Sequence, residues 1–145
     1  MLLTIELNRK GEMYVLIDWN ELNIIAIIVG GLLYMVYGGI YYSTRLGGDK
    51  YPEKKHNEVE GPIKYVFSVV VAFISSFIIA VFVQGTGSEG IGTGMLVGFM
   101  VGLIITLVYM KNRLFGLMTN QSFMIAVGDH LVIFTLLGAL HGLML

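Results

Sequence analysis

Long apolar stretches alternate with short polar segments along the chain. The four stretches lie at about 20–42, 63–84, 90–110 and 123–145, and the charged residues are collected between them. Each stretch has roughly the 20 residues that a helix needs to cross a ~30 Å hydrocarbon core. This pattern predicts an all-α membrane protein, a bundle of four transmembrane helices within residues 19–145.

Residues 1–18 precede the first stretch and show a different pattern. Segments 4–7 and 12–17 have strand-like sequences, and Gly11 ends the polar turn between them, which predicts a short β-hairpin. Alternatively, the segment is not native, because Met13 can serve as an initiator. Intact-mass analysis of protein made from its natural gene distinguishes the two interpretations: a chain that starts at Met13 excludes the hairpin.

Small residues recur at every fourth position in two of the stretches. The two rows are Ser68, Ala72, Ser76 and Ala80, and Gly90, Gly94, Gly98 and Gly102. On a helix this spacing forms a ridge on which another backbone can lie closely. An interior glycine costs up to about 1 kcal/mol relative to alanine, so the glycine row needs a compensating contact. We therefore predict a glycine zipper in which the second and third helices pack antiparallel, with Ala80 opposite Gly94 and Ser76 opposite Gly98.

The composition supports a membrane location and narrows the chemistry. Hydrophobic residues make up 56% of the chain and charged residues 13%, whereas soluble domains have about 25% charged residues. A net charge of −1 argues against a nucleic-acid partner. The absence of cysteine excludes disulfides and thiolate chemistry. The sequence shows no set of catalytic residues and no metal-ligand spacing, so we predict no enzymatic activity, no cofactor and no metal.

Basic residues predict the orientation in the cell membrane. They concentrate in and beside segments 43–62 and 111–122, whereas the segment between the second and third stretches and the C-terminus contain none. The positive-inside rule therefore places these two loops in the cytoplasm and both termini outside.

Asp129 is the only acidic residue inside a predicted span, and His130 follows it. A charge at the bilayer centre costs about 2.5–3.5 kcal/mol on insertion scales, so such a residue is a functional candidate by default. Two interpretations remain open. Asp129 belongs to a substrate site, or it forms a structural ion pair with Arg45, Arg113 or Lys64 near the inner interface.

Tyrosines on the first helix are candidate partners of Asp129. Tyr34, Tyr37 and Tyr41 share one helical face at the depth of Asp129. Because a tyrosine hydroxyl in lipid needs a partner, we predict that Tyr37 contacts Asp129 or His130. We assign Tyr41 and Tyr42 to an interfacial aromatic belt. Further candidates for a polar pocket at this level are Tyr65, Thr106, Tyr109 and Asn112.

Short motifs at three places resemble a known family. The first helix ends in Tyr41-Tyr42-Ser43, followed by Gly48; the other two motifs are Asn112-Arg113-Leu114-Phe115 and Gly128-Asp129-His130-Leu131. They are similar to those of the small bacterial four-helix membrane proteins of domain-of-unknown-function family 1761. Thr44 and Gly47 depart from the proline and phenylalanine usual in that family. The resemblance covers the chain from about Asn20 onwards, implies a four-helix membrane fold and implies no activity.

Two functions are compatible with these features. The first is a small oligomeric transporter or channel with a polar inner-leaflet site, in which Gly138 and Gly142 are a candidate dimer contact. The alternative is a structural or accessory subunit that packs against another membrane protein. In both cases the partners are the lipid bilayer and either further copies of the chain or a different membrane protein.

Overall fold

Four long helices follow two short strands along the chain. A computed structural model describes residues 3–7, 13–17, 22–46, 61–87 and 90–145. The elements are β1 (Leu3–Leu7), β2 (Met13–Ile17), α1 (Ile24–Leu46), α2 (Ile63–Gly85), α3 (Ile91–Leu114) and α4 (Asn120–Leu143). Each helix contains an apolar span of 22–24 residues, long enough to cross a bilayer. The fold is therefore the predicted bundle of four transmembrane helices.

The two strands pair antiparallel, as the sequence pattern of the N-terminal segment indicates. Leu3 lies opposite Ile17, and Leu7 lies opposite Met13. The predicted turn between the strands lies outside the described residues. Since Met13 is the first residue of β2, a native chain that started there would lack β1.

Side-chain caps determine where α1 and α4 begin. The Asn23 side-chain oxygen accepts the backbone N–H of Ala26 at 3.0 Å, which satisfies one of the free donors of the first turn of α1. The Thr119 hydroxyl accepts the N–H of Ser122 at 3.1 Å, so α4 includes polar residues that the hydropathy pattern leaves in the preceding loop. At the other end, α1 continues to Leu46, beyond the apolar stretch.

α4 is the central helix of the bundle. It contacts each of the other three helices, and α3 packs closest to it. A share of 33% of the α4 span is buried, against 17% for α1 and for α3. The buried hydrophobic core joins α2 to α4 and consists of Ile79, Val83, Ile133, Phe134 and Leu137.

The glycine row of α3 packs against α4, so the predicted zipper between α2 and α3 is wrong. A Cβ atom at Gly94 would overlap the carbonyl of Gly138, and one at Gly98 would overlap the carbonyl of Phe134. At Gly102 a Cβ atom would lie 3.1 Å from the Cα atom of Leu131. The two backbones are therefore in direct contact along the row, and every side-chain atom beyond hydrogen is excluded there.

The partner is α4 because α4 also presents glycines four residues apart. A Cβ atom at Gly142 would overlap the carbonyl of Gly90, and the Gly90 N–H donates to the carbonyl of Gly142 at 2.8 Å. Alanine and serine on α2 would place Cβ atoms where these backbones touch. Gly138 and Gly142 are thus covered by α3 of the same chain, which contradicts their predicted role as a dimer contact.

The small-residue row of α2 instead supplies a polar contact to α1 and α4. The Ser76 hydroxyl is buried and donates to the carbonyl of Ile27 at 2.8 Å. The same oxygen lies 3.2 Å from Nε2 of His141 on α4. The other residues of the row differ in burial: Ala72 and Ala80 are buried, and Ser68 is exposed.

Candidate binding cleft around Asp129

Helices α1 and α2 are in close contact near the start of α1 and diverge towards its end. Gly31 lies against the ring of Phe73, so closely that a Cβ atom would overlap it. Two turns further along α1, a Cβ atom at Gly38 or Gly39 would have no heavy atom within 4 Å beyond its own helical turn. The divergence leaves an open space between the two helices.

This space is a cleft of about 650 Å³, here called the Asp129 cleft. Its walls are formed by α1, α2 and α4, and its lining residues are Tyr34, Met35, Gly38, Gly39, Tyr42, Lys64, Tyr65, Phe67, Ser68, Val69, Val71, Ala72, Asp129 and His130. Apolar and aromatic side chains predominate, and a few polar groups converge among them. Both the size and this lining are typical of small-molecule sites.

Asp129 is the buried acid of the cleft, with 2% of its surface exposed. Its Oδ2 accepts the Tyr42 hydroxyl at 2.7 Å, whereas its Oδ1 is buried and has no hydrogen-bond partner among the described residues. It is the only acidic residue in the four helices. Nine residues separate it from Asn120, about 13.5 Å at the α-helical rise, which places it near the middle of α4.

His130 lies beside Asp129 and is held in one tautomer. Its Nδ1 is 2.8 Å from the carbonyl of Ala126, and since a carbonyl only accepts, Nδ1 carries the proton and donates. The same nitrogen is 3.6 Å from Oδ2 of Asp129, and Nε2 is 3.5 Å from the Tyr109 hydroxyl. Nδ1 is therefore bound to the Ala126 carbonyl, and its distance of 3.6 Å from Oδ2 is too long for a hydrogen bond.

The tyrosine that binds Asp129 is Tyr42, so the predicted contact from Tyr37 is wrong. Tyr37 instead stacks on the ring of Tyr41, with centroids 5.5 Å apart. The Tyr41 hydroxyl donates to the carbonyl of Ile125 at 2.9 Å. Since both neighbouring hydroxyls donate to α4, Tyr41 and Tyr42 do not form a plain interfacial belt. The reason is the extension of α1 to Leu46, which places these tyrosines inside the helix rather than at its end.

A glycine on α4 gives room for this contact. A Cβ atom at Gly128 would lie 2.6 Å from the Tyr41 hydroxyl oxygen. Gly128 and Asp129 belong to one of the motifs that carry the family resemblance, and Tyr41 and Tyr42 belong to another. The family resemblance therefore marks both partners of this contact between α1 and α4. The helical periodicity of the sequence does not indicate that they pair.

The predicted arginine ion pairs of Asp129 are not formed among the described residues. The Arg45 guanidinium lies over the Tyr41 ring at 5.9 Å from its centroid. The Arg113 Nε donates to the Asn120 side-chain oxygen at 2.6 Å. Asn112 does not line the Asp129 cleft, whereas Tyr34, Asp129 and His130 do.

A second buried polar group, His141, is separate from the cleft. Because Ser76 gives its proton to Ile27, His141 donates from Nε2 to the Ser76 oxygen, and its Nδ1 is left as an acceptor. Nδ1 has no partner among the described residues. The group ties α1, α2 and α4 together in the packed core, and neither Ser76 nor His141 lines the cleft.

The described residues contain no cluster of three or more His, Cys, Asp or Glu residues suited to a metal ion. Among the described residues that line the cleft, Asp129 is the one carboxylate, and the others are tyrosines, His130, Lys64, Ser68 and apolar residues. This set of groups favours hydrogen bonding and charge pairing with an organic group over metal coordination.

The fold and the cleft define a multi-pass membrane protein with one buried carboxylate in its helical bundle. The chain belongs to the DUF1761 family, described as a protein family of unknown function, whose family model matches residues 25–142. This range includes nearly all of the four helices and excludes both strands. No curated protein and no solved structure matches the chain.

Proposed function

We propose that the protein is a small transporter or channel whose solute-binding site is the Asp129 cleft. The observation that carries this proposal is the state of the Asp129 carboxylate. It is buried near the middle of a membrane helix and bound by Tyr42 through one oxygen, and its other oxygen has no partner in the part of the chain that the structure describes. Ionisable residues inside a membrane are costly and mark functional paths by default.

A purely structural role fits this carboxylate less well. Structural charges in a protein interior are usually paired and fully hydrogen-bonded, because an unsatisfied buried group loses its hydration without compensation. Here Arg45 and Arg113 make other contacts, and Oδ1 has no hydrogen-bond partner within the described ranges. A site that binds and releases a solute needs such an unsatisfied acceptor.

We further propose that the working unit is an oligomer. The Asp129 cleft is open along one side, between α1 and α2, where Met35, Tyr65 and Phe67 are exposed. A second copy set against this side would complete the wall of a pathway that four helices alone do not enclose. Native mass spectrometry of protein released from nanodiscs tests this, and a monomer alone would contradict it.

The proposed orientation has loops 43–62 and 111–122 in the cytoplasm and both termini outside the cell membrane. Arg45 at the end of α1, Lys64 at the start of α2, and Lys111 and Arg113 at the end of α3 support it. The chain has no cysteine, so single cysteines report cleanly. Thr86→Cys should react with an impermeant maleimide in intact cells, and Leu117→Cys only after permeabilisation; the reverse would overturn the orientation.

Proton flux into proteoliposomes tests the role of Asp129. With an internal pH dye and an imposed membrane potential, the wild-type protein should conduct protons above the level of empty liposomes. Asp129→Asn keeps an oxygen that can accept from Tyr42 and should abolish the flux. Glu6→Gln, which removes the other acid of the described residues, should leave it unchanged. Equal flux in wild type and Asp129→Asn contradicts the proposal.

The outer surface of α3 favours a second candidate, an accessory subunit of another membrane protein. α3 packs closely on α4 and only little on α2, so most of its circumference faces outwards. Leu96, Met100 and Ile104 are exposed there and available to lipid or to a foreign helix. A wild-type flux no greater than that of empty liposomes, together with one stoichiometric partner in a detergent pull-down, would favour this candidate.

A further inference from the structure

We infer that the Asp129 cleft binds organic ammonium compounds with an apolar body. This inference rests on the proposed function, because it uses the same cleft, and it adds the class of ligand. It follows from three features of the site: Asp129, whose Oδ1 has no hydrogen-bond partner among the described residues, the tyrosines that line the same cleft, and the open notch at Gly38 and Gly39.

The free oxygen of Asp129 selects a donor that carries positive charge. Oδ1 is buried and lacks a hydrogen-bond partner among the described residues, whereas Oδ2 accepts the neutral Tyr42 hydroxyl. An ammonium N–H offers both the missing hydrogen bond and the missing charge. Hydrogen bonds between charged groups are stronger than those between neutral ones, more so in a site with little water.

The charged groups around the cleft are compatible with such a ligand. Lys64 lies among the lining residues at the second position of α2, with its Nζ over the Tyr65 ring at 5.3 Å from the centroid. His130 occupies the side of Asp129 that carries Oδ2. The contacts of Lys64 and His130 thus lie elsewhere than at Oδ1, which lacks a partner among the described residues.

Aromatic and apolar side chains supply the rest of the site. The rings of Tyr34, Tyr42 and Tyr65 line the cleft, and ring faces attract ammonium groups. Phe67, Val69 and Val71 form an apolar wall suited to a hydrocarbon or aromatic body. Phe67 is 69% exposed, so this apolar wall extends to the open rim of the cleft.

The glycines at positions 38 and 39 provide the space. A Cβ atom at either position would meet no heavy atom within 4 Å beyond its own helical turn, and both residues line the cleft. A large side chain placed there would fill the notch without touching Asp129. Binding can therefore be abolished in two independent ways: by removing the charge of Asp129 or by filling the notch with a large side chain.

A matched pair of probes tests the ligand class. 1-Naphthylmethylamine, an ammonium cation at pH 7, and the neutral 1-naphthylmethanol have nearly the same shape, and their binding to protein in nanodiscs is measured by calorimetry against empty nanodiscs. The amine should bind saturably and the alcohol at least about tenfold more weakly, since a hydrogen bond to a charged group typically contributes more than a tenfold change in affinity requires. Equal binding of the two probes would overturn the inference.

Two variants and their controls locate the binding. Asp129→Asn should weaken binding of the amine at least about tenfold. Gly38→Leu should block both probes, whereas Gly92→Leu, at an exposed glycine with open space, should not. Glu6→Gln is the control for the loss of an acidic side chain and should leave binding of the amine unchanged. If Asp129→Asn did not fold, unchanged binding in Gly38→Leu would still overturn the inference.

The binding measurement separates the ligand class from the transport proposal. Amine binding that depends on Asp129, combined with no flux in proteoliposomes, supports the ligand class and contradicts transport. Asp129-dependent flux combined with no amine binding in the wild-type protein contradicts the ligand class alone.

Discussion

Two groups of glycines in this bundle have opposite surroundings. At Gly94 and Gly98 on α3, the place of a side chain is taken by the backbone of α4. At Gly38 and Gly39 on α1, that place is open and borders the Asp129 cleft. One group of glycines brings two helices into contact, and the other leaves room beside a buried carboxylate.

The difference lies in the residues opposite the glycines rather than in the glycines themselves. Gly30 and Gly31 are an adjacent pair like Gly38 and Gly39, yet they are packed, because Phe73 and Ser76 meet them. The second pair has no heavy atom of α2 within 4 Å of its added Cβ atoms, and the residues of α2 on that side, such as Tyr65, line the open cleft instead. A small residue thus creates either a contact or a cavity, depending on whether its neighbour can approach.

The largest effect is expected where two backbones touch. Gly98→Ala adds a Cβ atom that would overlap the carbonyl of Phe134, and neither backbone can move without opening the α3–α4 interface. We expect a loss at the upper end of the ~1–3 kcal/mol range typical of overpacking. The free energy of unfolding is measured by SDS titration in dodecylmaltoside micelles with far-UV circular dichroism.

Gly92→Ala is the matched control for this change. It lies on the same helix, is exposed, and has no heavy atom within 4 Å of its added Cβ atom beyond its own turn. Its free energy of unfolding should stay within ~0.5 kcal/mol of the wild type, as for most surface substitutions. Equal stability of the two variants would show that α3 and α4 are not in backbone contact.

An intermediate effect is expected within α1, where both kinds of surroundings occur. Gly31→Ala drives a Cβ atom into the ring of Phe73, a side chain that can yield in part, so we expect a destabilisation of about 1–2 kcal/mol. Gly38→Ala meets open space and should be neutral or stabilising by up to ~1 kcal/mol, because alanine favours a helix. The same SDS titration measures both, and a loss at Gly38 as large as at Gly31 would show that no cleft separates the helices there.

Hydropathy predicted the class of fold correctly because the ability of a helix to span a membrane depends on the sequence of that helix alone. The four apolar spans and the buried acid follow from the cost of placing polar groups in lipid. Hydropathy and spacing do not predict which helix packs against the glycine row of α3, since both α2 and α4 have small residues at a spacing of four. The choice depends on whether the partner also lacks Cβ atoms, as at Gly138, and on competition among all pairs of helices.

The tyrosine contact could not be predicted for a different reason. The hydropathy pattern ends the first helix near Tyr42, whereas the helix continues through the polar residues Ser43 to Arg45. The hydroxyls of Ser43 and Thr44 both donate to the carbonyl of Ile40, so polar residues are accommodated in the last turn without ending it. The depth of Tyr42, and hence its partner, depends on this extension.

The smallest effect on stability is expected at the edge of the cleft. It distinguishes the Tyr42 contact seen in the structure from the Tyr37 contact predicted from the sequence. Tyr42→Phe removes the hydroxyl that donates to Asp129, and hydrogen bonds between membrane helices average about 0.6 kcal/mol, so the free energy of unfolding should fall by ~0.5–1 kcal/mol. Tyr37→Phe keeps the ring that stacks on Tyr41 and should change stability by less than the error of the titration. Because the Tyr42 hydroxyl positions the Asp129 carboxylate, Tyr42→Phe should also weaken proton flux, whereas Tyr37→Phe should leave it intact. A flux lost in Tyr37→Phe and retained in Tyr42→Phe would instead support the contact that the tyrosine spacing predicts, and α1 would then have to be rotated relative to α4.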